Sequence, residues 1–147
     1  MSWHVLARVG VADKYEPAIA PSQPRIHVSF ERSGDPWAVS NNVLSHIAER
    51  SGTLPSPTAT DLLYLAMTAY AADLRIPRRL AANRWSREIV LHLPVQDLDL
   101  WAQHAQHVER TLGFLTGDTW ELRCRPRDRK DRPNKESALH KVQAVCL

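Results

Sequence analysis

The chain has 147 residues, 44% hydrophobic and 24% charged, with a formal net charge of +3. That size supports one domain with its own core, and those proportions are ordinary for a globular protein rather than a disordered or fibrous one. No apolar stretch approaches the roughly 20 residues of a membrane span, the start Met1-Ser2-Trp3-His4 has no basic region followed by an apolar one, and two cysteines, Cys124 and Cys146, are too few for a disulfide framework or structural zinc site. The expectation is a cytoplasmic protein of a reducing compartment with no membrane partner.

Residues 3–9 read as a strand with Trp3, Val5, Ala7 and Val9 on one face. A cleaner alternation at 25–31 puts Ile26, Val28 and Phe30 inward and Arg25, His27, Ser29 and Glu31 outward. Pro17, Pro21 and Pro24 make the intervening segment a loop. Asp35-Pro36 has the pattern of an N-cap followed by proline at the first helical position. Val39, Val43 and Ile47, flanked by Leu44 and Ala48, would then form one face of a short helix ending near Gly52.

The central helix starts at Ser56-Pro57 or at the Thr58 and Asp61 pair. Its predicted apolar face is Leu63, Met67, Tyr70 and Leu74, widened by Leu62, Ala66 and Ala69, and Pro77 stops it. A strand through Ile89, Leu91 and Leu93 follows, closed by Pro94. A helix from about Asp97 to Leu115 comes next, with Leu98, Trp101, Ala105, Val108, Leu112 and Leu115 on one face. Gly117-Asp118 turns the chain into a strand in which Trp120, Leu122 and Cys124 alternate with Glu121, Arg123 and Arg125. Residues 86–125 are thus strand–helix–strand. The fold class expected is α+β, a small mixed sheet with about three helices packed on it. Residues 1–125 would form an accessory domain and 126–140, with Pro126 and Pro133 among alternating charges, a solvated linker. The almost wholly apolar run at 141–147 reads as a strand buried on both faces, the first strand of an α/β nucleotide-binding domain supplied elsewhere.

The sequence carries little recognisable chemistry. There is no glycine-rich phosphate loop and no serine framed as a nucleophile elbow. His104 and His107 have a helical spacing that suits metal ligands, but nothing at complementary spacing joins them, so they read as a surface pair. His27 and His92 read as polar-face strand residues, and Cys146 as an inert small hydrophobe. No catalytic, cofactor-binding or metal residue is assigned.

Two basic groups stand out: Arg75, Arg78, Arg79, Arg84 and Arg87, and a second running Arg123, Arg125, Arg127, Arg129, Lys130, Arg132 and Lys135. Such clusters suit phosphate, so a nucleic-acid partner stays open. The first group, with Asp73 and Trp85, defines a corner of Asp73, Arg75, Arg78, Arg79, Trp85 and Arg87. It reads as an ion-pair corner with an arginine stacked on the indole, or else as an anion site. Asp73 as an internal partner favours the former.

The stretch Asp61-Leu62-Leu63, Ala71-Ala72-Asp73, Ile76-Pro77-Arg78, Trp85-Ser86-Arg87-Glu88-Ile89 and Pro94-Val95, continued by Phe114-Leu115-Thr116-Gly117-Asp118-Thr119-Trp120, resembles the N-terminal region of QueC-like proteins. These are 7-cyano-7-deazaguanine synthase-like proteins, including the QatC type encoded in bacterial anti-phage islands. The resemblance covers about residues 56–125 and the last strand. It implies that a strand similar to 142–147 runs into a Ser-Gly-Gly-X-Asp-Ser loop gripping ATP pyrophosphate, with zinc cysteines further on. None of those residues lies in this sequence, so ATP and zinc are implied only for that further domain. The role implied for this chain is a non-catalytic accessory domain; the alternative is a free-standing nucleic-acid-binding or partner-docking module.

Overall fold

The computed structural model describes residues 1–30, 35–39 and 43–127. The fold is α+β. Four strands, β1 (Ser2–Val9), β2 (Arg25–Phe30), β3 (Glu88–Val95) and β4 (Thr119–Pro126), form one sheet in the order β2-β1-β3-β4. Three helices, α1 (Val43–Ser51), α2 (Pro57–Arg75) and α3 (Leu98–Thr116), are interspersed. All three ladders among the described residues are parallel, so the sheet is more regular than the mixed one expected. Parallel neighbours need long crossovers, and each connection here has the length to supply one.

Strand order decides which face each connection covers. The step from β1 to β2 runs one way across the sheet, and the steps to β3 and β4 run the other way. Right-handed crossovers then require the first connection to lie on the opposite face from the later two. Val5, Ala7, Val9, Ile26, Val28, Phe30, Ile89, Leu91, Leu93 and Trp120 share one face, where Tyr64, Leu65, Ala69 and Ala72 of α2 and Trp101 of α3 join them in the core. On the other face the 10–24 loop stands where a helix would ordinarily sit. Its Glu16 takes Arg8 Nη2 at 2.6 Å and Arg25 Nη1 at 2.7 Å, and its Tyr15 hydroxyl meets His92 Nδ1 at 3.2 Å. This second layer explains why β3 is buried on both faces from Ile89 to Val95, and why His92, expected on a polar face, is buried.

Local sequence sets the helix ends. Ser56 caps α2, accepting from the Ala59 amide at 3.2 Å with proline at the first helical position. Asp97 caps α3 through the Leu100 amide at 3.0 Å, and Gly117 ends it at φ 73°, a left-handed geometry that glycine adopts without strain. Three expectations need correction. The Asp35-Pro36 pair makes a turn, Asp35 Oδ1 accepting from the Trp37 amide at 2.8 Å. Helix α1 therefore starts only at Val43, and its Val43 and Ile47 stay exposed. Residues 37–39 instead extend the β2 edge, with Ser29 bridging Ala38.

The second correction concerns part of the α2 face, since Leu63, Met67 and Ala69 meet the core as expected but the face is centred elsewhere. Thr60, Asp61, Tyr64, Leu65, Thr68 and Ala69 point inward, whereas Leu62, Tyr70 and Leu74 point to solvent. Polar residues occupy the inner face because they have work there: Thr68 Oγ1 returns to the Tyr64 carbonyl at 2.6 Å, and Asp61 takes part in a buried network.

The third concerns Pro94, which lies inside β3 instead of closing it. The carbonyls of Arg87 and Val95 face β4, so by strand alternation Pro94 faces β1. Its missing N–H falls opposite the Ala7 carbonyl, and the β1–β3 ladder stops at Leu6 and His92. A guanidinium takes the vacant role: Arg125 Nη2 donates to Ala7 O at 2.9 Å. Arg125 also pairs with Asp13 and lies 4.2 Å over the Tyr15 ring. The expected strand at 141–147, and the linker beyond Arg127, lie outside the described residues.

Candidate functional site

The arginine corner is built where α2 ends and β3 and β4 begin. Pro77 and the extended Ile76 turn the chain, a one-turn 3-10 helix at Arg78–Leu80 follows, and Asn83 Oδ1 accepts from the Trp85 and Ser86 amides at 2.9 and 2.8 Å. The path delivers Arg87 into the protein at 2% exposure. Its Nη1 donates to Ile76 O at 2.6 Å and its Nε to Asp118 Oδ1 at 3.1 Å, and its Nη2 bridges Asp118 and Asp73. Asp118 also accepts the Arg87 amide at 2.8 Å and Arg78 Nη1 at 3.0 Å. Arg78 Nη2 reaches Asp73 at 3.2 Å and Thr116 O at 3.0 Å.

Burial raises the Asp118 carboxyl, but the hydrogen bonds and charge of Arg87, with Arg78 behind, outweigh it and hold the group below its ordinary range. Burial likewise lowers Arg87, and Asp118 and Asp73 reverse that, so its positive charge is reinforced. Two cations and two anions thus neutralise one another.

Of the six residues expected at this corner, the structure brings Asp73, Arg78 and Arg87 together. Arg75 turns away, donating to His27 O at 3.1 Å and lying 5.9 Å from the centroid of Trp37. Arg79 is exposed, and Trp85 is 73% exposed with no guanidinium over its ring among the described residues. The expected arginine–indole stack does not form on Trp85, because Arg87 points inward to the carboxylates rather than outward to the ring; Arg75 lies over Trp37 instead. Asp118, the deepest member, was readable only as part of a turn. Its signal is its place directly after a left-handed glycine, which aims its side chain back into the protein.

Two further polar clusters were not expected. At the carboxyl ends of the strands, Arg127 Nη2 meets Asp61 Oδ1 at 2.7 Å, and Asp61 Oδ2 accepts from the Gln96 amide at 2.8 Å and Trp101 Nε1 at 3.3 Å. Arg127 is 6% exposed, so it belongs to the fold and not to a solvated linker. An aspartate on the inner side of an apolar helix was the available sign. On the second face, His4 Nδ1 and His92 Nε2 lie 3.0 Å apart. Burial, then the nearby His4 and Arg123, push His92 down to about 4; His4 is lowered by burial and Arg123.

The second basic group is similarly spent: Arg123 pairs with Glu121, Arg125 with Asp13 and Arg127 with Asp61, while its members from Arg129 to Lys135 lie outside the described residues. His104 and His107 are exposed on α3, and no group of three metal-capable side chains occurs among the described residues. His27, half-buried, meets Glu16 at 3.2 Å. The half-buried Cys124 thiol is pushed up to about 11 by burial and by Asp61 and Glu109, leaving it a poor nucleophile. Cys146 lies outside the described residues. No protein-family model, curated protein or solved structure matches the chain.

Proposed function

We propose that this chain is a non-catalytic accessory domain that docks a protein partner, the ATP-pyrophosphatase part of a QueC-like enzyme of anti-phage defence. The docking reading is carried by the outer side of α2. Leu62, Ala66, Tyr70 and Leu74 recur every four residues along one stripe, and the three large ones are 56%, 67% and 67% exposed. Three large apolar side chains left in water along one side of a helix, beside an inner side that buries Tyr64, Leu65 and Ala72, suit a surface that meets another protein. The charged clusters agree with a scaffold role, since their members are engaged with one another. The identity of the partner rests on the QueC-like residues at 56–125.

The test is sedimentation of the purified chain with a separately purified QueC-like ATP-pyrophosphatase protein. The expected result is a complex that Tyr70→Glu with Leu74→Glu abolishes, while the melting midpoint of the isolated chain is unchanged or raised. No complex, or one indifferent to these changes, would overturn the reading.

A further inference from the structure

The turn that carries Trp85 is unusual in being firmly held while its large side chain is left in water. The Trp85 carbonyl accepts from Arg78 Nη1 at 3.0 Å and its amide donates to Asn83 Oδ1 at 2.9 Å. Ser86 Oγ then ties the turn to the Gly117 carbonyl at 2.8 Å. Arg84 adopts φ 59°, a left-handed conformation uncommon outside glycine and asparagine. The indole lies against the C-terminus of α3, its Nε1 3.9 Å from where a Cβ on Gly117 would stand, yet 73% of the residue is exposed. One turn back on the same helix Phe114 is 89% exposed.

The charge around this aromatic surface has a definite sign. Arg79 and Arg84 are exposed, and their side chains have no hydrogen bond or ion pair among the described residues. The neighbouring acids Asp73 and Asp118 are engaged with Arg78 and Arg87. At the negative end of α3, Thr116 O is taken by Arg78 and Gly117 O by Ser86. Among the described residues, Arg79 and Arg84 are thus left uncommitted on the turn that carries the exposed ring.

We propose that the Arg79–Trp85 turn binds single-stranded nucleic acid, with Trp85 stacked on a base and Arg79 and Arg84 on flanking phosphates. A protruding ring needs an unstacked base to lie against, which a duplex does not offer. An acidic peptide would use the guanidiniums and leave the indole without a role.

The experiment is fluorescence anisotropy of a labelled oligothymidine about 15 nucleotides long, titrated with the full chain at several salt concentrations. The expected result is binding that Trp85→Ala weakens about tenfold or more and Trp85→Phe largely restores. Arg79→Ala with Arg84→Asn should reduce the slope of log affinity against log salt by about 1.4, and Asn keeps the left-handed turn accessible. Melting midpoints should match the wild type, since all three side chains are exposed. Four outcomes would each overturn the proposal: no binding at low salt, a Trp85→Ala chain that binds as the wild type does, equal affinity for a duplex, or displacement of the oligonucleotide by polyglutamate of equal length. The last would identify an acidic protein segment as the ligand. Tyr70→Glu with Leu74→Glu should leave oligonucleotide binding unchanged, which separates this site from the α2 docking stripe.

Discussion

Arg87 and Asp118 are 31 residues apart in sequence and meet at full burial. Removing either takes away the buried partner of the other and leaves Asp118 only the part-exposed Arg78, or Arg87 only the exposed Asp73, so Arg87→Ala and Asp118→Ala should each cost several kcal/mol, at most about 3–5, in urea unfolding. Asp73→Ala should cost under about 1 kcal/mol, because its side chain is 48% exposed and Asp118 still holds Arg87. The sequence indicates that arginines gather here but not which one turns inward, since that depends on an aspartate delivered by the end of another helix. His92 gives a second check at this scale. Its imidazole is lowered from 6.5 to about 4 in the folded chain, so the unfolded chain binds the proton more readily. Its contribution is present above pH 6.5 and is lost as pH falls from there toward 4, up to about 3 kcal/mol in all. Unfolding measured from pH 7 to pH 4 should show that loss, and His92→Phe should flatten it; a parallel pair of curves would contradict the assignment.

Elements were legible where the signal is local. Asp97 and Gly117 mark helix ends through interactions within a few residues, and of the two starts open for α2 the structure uses Ser56-Pro57 and not the Thr58 and Asp61 pair. Ser56→Ala should accordingly cost about 1 kcal/mol, seen as a lower urea midpoint with an unchanged slope. Faces were less legible. For α3, Trp101 is buried and Val108 and Leu112 pack on the core as the periodicity says, but Leu115 is exposed. For α2 the apolar period is only partly right: Leu63, Met67 and Ala69 meet the core, but Leu62, Tyr70 and Leu74 do not, because periodicity reports where apolar residues lie and not what covers them. Apolar residues that stay in water and apolar residues that enter the core look alike in sequence.

For the whole molecule, the alternation of strands and helices was enough for the α+β class, and the strand–helix–strand unit at 86–125 is present as β3, α3 and β4. The parallel pairing was not legible, since it depends on which strands become neighbours across 57 intervening residues between Phe30 and Glu88. Nor was the role of the 10–24 loop as the layer over the second face, because prolines announce a loop without saying what lies beneath it.

The proline inside β3 carries a consequence for how this sequence can change over time. Pro94 and Arg125 are joined by a single carbonyl, that of Ala7, which one cannot serve and the other does. The two positions are therefore epistatic. Arg125→Leu in the present background strands a buried acceptor and releases Asp13; after Pro94→Ala, a backbone amide is there to take the carbonyl, and only the second loss remains. A double-mutant cycle should show Arg125→Leu milder by about 1–2 kcal/mol in the Pro94→Ala background, and strict additivity would refute the link. Drift is then ordered: a descendant of this chain loses less stability with the arginine if it has lost the proline first.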